Sequence, residues 1–391
     1  QRERAAEDEA LVAAHAARFP TDGALQWLAN SNRGAVAHSG HDLDRARDLY
    51  QRALAVTAGP TALELARTRI NLGLLEYDAR DFERALTSYR AGVAEASAAL
   101  GEGHPLVAQL VTYEVNALES LGRYTEAQER LESTDSGANV WSQILRSRLD
   151  ARRRRFAAAQ ASASRALAAT DASDVLTGIN AEAALADALT DPGAALAHID
   201  SMLARCEATY GEQHAITAAF QRRAAGALLR FARAAEALPL LRRSLATCQQ
   251  HDPVVANTAE SHRLLADAHL ARGEHDAALD SARAAVTLLA ALPGDHDLDL
   301  ALAHRALGRA HLARAEADAA VAVLQSALST TEPRLDPDDP ELAQTRVELA
   351  RALLAANPGN TIKARTLLAH ARDVFTRLGE PFAAERLAAA D

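Results

Sequence analysis

An alanine returns along this chain at Ala46, Ala85, Ala127, Ala159, Ala195, Ala237, Ala278, Ala320 and Ala364, in steps of 39, 42, 32, 36, 42, 41, 42 and 44 residues. No other feature constrains the fold as strongly. A unit of this length holds one helical hairpin, which cannot bury its apolar face alone and must stack on its neighbours. The expected fold class is all-α: a solenoid of about nine helical hairpins. Such a stack grows by adding units, so a chain of 391 residues need not split into separate cores.

The register around each alanine repeats as well. In the first unit, a helix over Gln26–Ser39 carries Gly34, a turn follows at Gly40-His41-Asp42, and a second helix over Asp44–Val56 carries Ala46, Tyr50 and Ala53. The i, i+4, i+7 spacing of those three puts them on one stripe. Small residues at Gly34 and Ala46 let two backbones approach, and Tyr50 fills the space beside them. The same twelve-residue offset recurs in Gly73 and Ala85, Ala266 and Ala278, and Gly308 and Ala320. The units at Ala159 and Ala195 are short and degenerate.

Composition removes several function classes. Hydrophobic residues make up 49% of the chain but aromatics only 4%, a mixture that suits close-packed helices and not a sheet. The net charge of −10 argues against a general nucleic-acid binder, which would present a basic face. Lys363 is the only lysine, which reads as base-composition bias. Cys206 and Cys248 sit one unit apart and read as two small buried hydrophobes, not as a disulfide framework. No apolar run reaches the ~18 residues of a membrane span, and no signal peptide is visible. The chain opens on Gln1, which reads as a piece of a longer protein. A cytoplasmic location is the default expectation, and an extracytoplasmic one follows if a membrane span lies upstream.

The small residue in the first helix, an aromatic near the turn, then Ala, a large residue and Ala in the second helix resemble the tetratricopeptide repeat. The residues that carry this are Asn71-Leu72-Gly73 with Phe82 and Ala85, Tyr124 with Ala127, and Leu307-Gly308 with Ala320 and Ala327. The units are long, and their extra residues form recurring loops: Leu100–Pro105, Tyr210–His214, His251–Pro253, Pro293–His296 and Leu335–Pro340. That pattern resembles the kinesin-light-chain variety of the repeat. The stretches Glu341–Leu354 and Ala364–Arg372 resemble the repeat tails of bacterial Hanks-type serine/threonine kinases, although no kinase motif lies in this chain. The resemblance implies three segments: an N-terminal helix or partial repeat over 1–24, the right-handed superhelical solenoid over 25–377, and a capping helix over 378–391.

The resemblance also implies that one face of each first helix lines a concave groove. Registered on the small residue, the groove candidates are Asn32, Asn71, Tyr77, Asn116, Arg148, Arg222, Arg263, Arg305, Arg309 and Arg351. Amides can pair with both the N–H and the C=O of an extended peptide. Arginines on one wall would concentrate an anionic segment. The family's carboxylate clamp does not carry over, because only Asn71 matches among Ser31, Ala35, Asn71, Gln109 and Tyr113. Trp27 and Trp141 are expected to staple neighbouring units, and the Arg152–Arg155 run to be a solvated edge. The pairs His41-Asp42, His251-Asp252, His275-Asp276 and His296-Asp297 resemble phosphohydrolase ligands only superficially, and their aspartates are expected to be helix N-caps.

The expected function is a non-catalytic protein-interaction module, the scaffold or sensor part of a signalling protein. It needs no cofactor and no metal. Its partner is a protein or peptide, of acidic character if the arginines decide. A self-assembly module and a receptor for a small peptide signal are the alternatives.

Overall fold

The computed structural model describes Ala14 and residues 17–134, 139–251 and 255–379. Among the described residues there are eighteen α-helices and no strand. They run as nine hairpins: α1 (Gly23–Ser39) with α2 (Leu43–Leu54), α3 (Ala62–Asp78) with α4 (Phe82–Leu100), and α5 (Pro105–Ser120) with α6 (Tyr124–Thr134). Next come α7 (Val140–Arg152) with α8 (Phe156–Ala169), α9 (Val175–Ala188) with α10 (Pro192–Tyr210), and α11 (Ala215–Arg230) with α12 (Ala234–His251). The last three are α13 (Val255–Ala271) with α14 (His275–Ala290), α15 (Asp297–Ala313) with α16 (Ala317–Thr331), and α17 (Pro340–Ala356) with α18 (Thr361–Leu378). The N-terminal helix expected over Arg2–Phe19 falls largely outside the described residues, and the cap expected over Pro381–Ala390 wholly outside them.

All nine recurring alanines lie in the second helix of a hairpin, and each has 0% of its surface exposed. Opposite them, side-chain volume is matched across the hairpin. A Cβ placed on Gly73 would sit 2.7 Å from Cδ1 of Tyr89, and one on Gly34 would sit 2.7 Å from Cε1 of Tyr50. Where the second helix offers Ala282 in place of tyrosine, the first helix carries Ala266. The total volume at the crossing decides the pair, as close packing requires.

Seven of the nine hairpins turn in the same way. His41, Arg80, Gly122, Arg154, Ala232, Gly273 and Ala315 take left-handed φ between the two helices. The next residue's N–H then bonds a carbonyl one turn back, as in Asp42 N–H to Ala37 O at 3.0 Å and Glu316 N–H to His311 O at 2.9 Å. That bond satisfies a helix-end carbonyl which would otherwise be orphaned. The fifth and ninth hairpins depart. Helix α9 ends with Leu189 extended and leads straight into Asp191-Pro192, and a 3-10 turn at Pro358–Asn360 precedes α18. The unit at Ala195 is thus irregular in its turn, whereas the one at Ala159 keeps the common form.

Helix starts use several chemistries. Asp42, Asp81, Asp174, Asp191 and Asp339 accept a backbone N–H at the start of a helix. Thr61 and Glu64 close a reciprocal capping box on α3. His104 and His214, each following a loop in which a left-handed Gly101 or Gly211 ends the preceding helix, accept at Nδ1 from the N–H two residues on. The His-Asp expectation needs correction. Asp42 is an N-cap, but Asp276 and Asp297 lie inside the first turn, where Glu274 and His296 hold the cap position without a side-chain bond. Their carboxylates therefore serve the positive end of the helix and not its cap. The pair His251-Asp252 falls outside the described side chains.

Within the expected solenoid span, contacts divide the chain into two compact units. The first holds hairpins one to three, with Pro293–Asp295, and the second holds hairpins four to nine. In the first unit, Trp27 Nε1 donates to Thr68 Oγ1 on α3 at 3.0 Å, so Trp27 does staple two hairpins. In the second, Trp141 packs in a cluster that joins α7, α8 and α9 through Ile144, Ala163 and Leu185. Cys206 and Cys248 are buried and unbridged, and burial pushes the Cys206 thiol up to about 11. No helix is long and apolar enough to cross a membrane among the described residues.

Candidate functional site

The first helices of the first unit, α1, α3 and α5, lie side by side in order. Asn32 stands exposed on α1, and Asn71 and Asn116 are half-buried on α3 and α5. Among the described residues none of these three amides makes a side-chain hydrogen bond, whereas most neighbouring polar groups do. Tyr77 on α3 shares a hydrogen bond of 2.8 Å with Ser120 Oγ on α5, and its ring meets Phe82 edge-on at 5.0 Å. Tyr77 is thereby held in place, with its hydroxyl already engaged. Glu114 is buried between Arg90 and Arg130, at 3.0 and 2.7 Å. Asn32, Asn71 and Asn116 are thus amides without an internal partner, and an amide can both donate and accept.

The second unit is built differently. Its first helices carry the expected arginines, and most of these are tied to carboxylates on the same or the next first helix. Arg263 reaches Glu260 through two nitrogens at 2.7 and 2.6 Å, and Asp267 at 3.1 Å. Arg309 binds the other oxygen of Asp267 at 2.6 Å and lies 3.9 Å from Glu348. Arg351 stands 3.5 Å from Glu348, and Arg305 pairs with Glu341 at 2.5 Å. Arg222 is buried and turns away from this row, donating to Ser244 Oγ at 3.3 Å and Cys248 Sγ at 3.0 Å. Arg148 is half-buried on α7 beside the same row.

Burial would lower the pKa of Arg263, but Glu260, Asp267 and Glu341 outweigh it and hold the guanidinium above its ordinary range. Burial would raise that of Glu341, but Arg305, Arg152 and Arg154 outweigh it and hold the carboxyl well below the usual range. The partners are thus mutually committed: removing one leaves the other's charge unpaired in a half-buried place.

The run Arg152–Arg155 is not the solvated edge that the sequence suggests. Arg152 lies 3.7 Å from Asp339, Arg153 lies 3.5 Å from Asp338, and Arg155 binds Asp150 at 2.7 Å. The acidic loop before α17 supplies the partners of Arg152 and Arg153, which a reading of each helix alone does not reach. The carboxylates of the row were missed for the same reason, although one signal was legible. Glu260, Arg263 and Asp267 follow the i, i+3 and i+4 spacing of a helical ion pair, and Arg309 follows Asp267 by one full repeat. Among the described residues no three His, Cys, Asp or Glu side chains gather in a way that could hold a metal ion.

Residues 27–94 match the family model described as Tetratricopeptide repeat. The fold is that of a tetratricopeptide-repeat solenoid. Among solved structures, the Rap protein complexed with Competence and Sporulation Factor is similar over 83% of this chain and 79% of its own, at 12% identity and a TM-score of 0.52. A tetratricopeptide repeat protein from Parabacteroides merdae is similar over 71% of this chain and 98% of its own, at 13% identity and a TM-score of 0.48. The nearly identical TPR-like repeats of a kinesin light chain from Podosopora anserina are similar over 51% of this chain and 95% of their own, at 22% identity and a TM-score of 0.40. No curated protein sequence matches the chain.

Proposed function

We propose that this tetratricopeptide-repeat solenoid is a non-catalytic interaction module that binds an extended peptide segment of a partner protein. The observation that carries the reading is the set of amides on consecutive first helices, Asn32, Asn71 and Asn116, which have no internal hydrogen bond. An extended backbone offers alternating N–H and C=O groups, and amides at successive helices can answer both. Tyr77, fixed through Ser120, offers an aromatic face beside them. Each amide–backbone bond is worth roughly 0.5–1.5 kcal/mol.

Of the arginines named from the sequence, Arg148, Arg263, Arg305, Arg309 and Arg351 form the second unit's own part of the proposed binding surface, and the buried Arg222 drops out of it. Their existing partners make them a weaker basis for an acidic peptide than their number suggests. The wider setting, a regulatory part of a bacterial signalling protein attached to a kinase, rests on the resemblance of the last two helices to such tails. A receptor for a small peptide signal is the second reading, favoured by the Rap protein's complex with Competence and Sporulation Factor in a similar fold.

The test is selection from a displayed peptide library, followed by affinity measurement with the variant Asn32→Ala/Asn71→Ala/Asn116→Ala. Selected peptides should bind the variant roughly tenfold or more weakly, since three bonds sum to more than ~1.4 kcal/mol. Its melting temperature should be unchanged. Equal binding by the variant, or no peptide selected at all, overturns the reading. Alanine at the paired arginines is a poor test, because it would strand their carboxylates.

A further inference from the structure

The turn of hairpin four carries three successive arginines, Arg152, Arg153 and Arg154. The loop before α17 and the start of that helix carry three carboxylates, Asp338, Asp339 and Glu341. Arg152 Nε lies 3.7 Å from Asp339 Oδ2, and Arg153 Nη2 lies 3.5 Å from Asp338 Oδ2. Burial would push the Glu341 carboxyl up, but Arg305, Arg152 and Arg154 hold it well below its usual range. Asp339 also accepts the Glu341 N–H at 2.8 Å as the cap of α17, which fixes the carboxylates relative to the helix behind them. All six residues belong to the second unit.

A hairpin in a solenoid packs on its neighbours in sequence. This contact instead joins hairpin four to the loop between hairpins eight and nine, so the two ends of the second unit meet. What joins them is charge. No helix of hairpin four packs extensively on a helix of hairpin eight or nine. The apolar clusters at the two ends stay separate, with Ile144, Ala163 and Ala166 in one and Ala343, Val347 and Ala350 in the other. Asp339 is nearly enclosed at the joint, with 2% of its side chain exposed, whereas Arg153 and Asp338 keep 21% and 39%. The outer pair is therefore within reach of dissolved ions.

We propose that these six charges form a latch that holds the second unit as a closed turn and releases it when the charges are screened. A seam of apolar side chains would stay shut through the surface it removes from water. An ionic joint largely cancels its attraction against the cost of desolvating its own charges, so closed and open forms lie close in free energy. Opening parts α7 from α17, which carry Arg148 and Arg351 at the two ends of the row of first helices. The latch thus controls access to the second unit's share of the proposed binding surface. That consequence rests on the peptide-binding reading, whereas the latch itself stands whether or not a peptide binds.

Spin labels on Ala158→Cys in α8 and Ser329→Cys in α16, both exposed positions, report the gap across the joint in the whole chain by pulsed dipolar spectroscopy. The native Cys206 and Cys248 are buried and stay unlabelled. At low salt the labelled parent should give a single short distance. Arg152→Glu/Arg153→Glu should lengthen it by about 10 Å, one helix diameter. Asp338→Arg alone should add a longer population, and Arg153→Asp/Asp338→Arg, which keeps the pair with its signs exchanged, should restore the short one. At about 1 M salt, where the screening length falls to about 3 Å, the parent should shift toward the longer distance. An unchanged distance in Arg152→Glu/Arg153→Glu overturns the proposal. So does a sign-exchanged variant as open as Asp338→Arg alone, or a parent that ignores salt. If Arg152→Glu/Arg153→Glu loses its helical circular dichroism, the comparison of Asp338→Arg with the sign-exchanged variant decides.

Discussion

Single residues set how closely the helices of each hairpin approach. Gly73 lies against the ring of Tyr89, which is itself almost wholly buried and cannot move aside. Replacing Gly73 by alanine adds a methyl group where the ring already stands. Overpacking of this kind costs about 1–3 kcal/mol, against a helix-propensity gain of up to about 1 kcal/mol. The expected outcome for Gly73→Ala is a net loss of about 1–2 kcal/mol in urea denaturation. Gly226→Ala, in open space, should gain up to about 1 kcal/mol by the same measurement. If both variants behave alike, the account of Gly73 as a packing requirement is wrong. Gly73 was legible from its twelve-residue offset to Ala85, because that offset reflects one hairpin's local geometry. Gly226 carries no such signal, because nothing near it along the chain announces a cavity beside it.

At the scale of an element, caps and turns decide where each helix begins and ends. On α3, Thr61 Oγ1 accepts from the Glu64 N–H at 3.3 Å, while Glu64 accepts from the Thr61 N–H at 2.7 Å. The bonds from Thr61 hold the Glu64 carboxyl below its ordinary pKa, since they favour its charged form. Thr61→Ala should cost about 1 kcal/mol and speed amide exchange in the first turn of α3, with the rest of the helix protected as before. Uniform exchange along α3 would show that this cap does not limit fraying. The end of α9 shows a different solution. It lacks the left-handed turn of its neighbours, and Arg230 of α11 donates to the carbonyls of Ala186, Asp187 and Leu189. Residues forty or so positions away complete that helix end, so α9 looked degenerate to a local reading.

Over the whole molecule, stability is a sum of hairpins and the interfaces between neighbours, and long arrays of this kind do not unfold in one step. The two compact units each have their own core, and each contains one tryptophan, Trp27 in the first and Trp141 in the second. Single-tryptophan variants, Trp141→Phe and Trp27→Phe, allow each unit to be followed alone by fluorescence in urea. The expected outcome is two midpoints that differ, with the first unit's probe sensitive to Thr68→Val because Trp27 donates to that hydroxyl. Coincident midpoints in both variants would mean that the chain unfolds as one cooperative block.

The sequence by itself determined the all-α fold, the nine hairpins, and which alanines would be buried. These follow from helix period and hairpin length, which act over a few turns of chain. It also placed the groove candidates on the first helices, because register within a unit is local. Only the tertiary structure decided which of them keep their polar groups available. Long arginine side chains reach whichever acid the stack brings near, and Arg309 takes Asp267 from a full repeat earlier while Arg152 lies near Asp339 at the far end of its unit. Pairing between units of a stack depends on rise and rotation from hairpin to hairpin, and no window of sequence encodes those. The amides of the first unit and the charged joint of the second became distinct only when that stacking was in view.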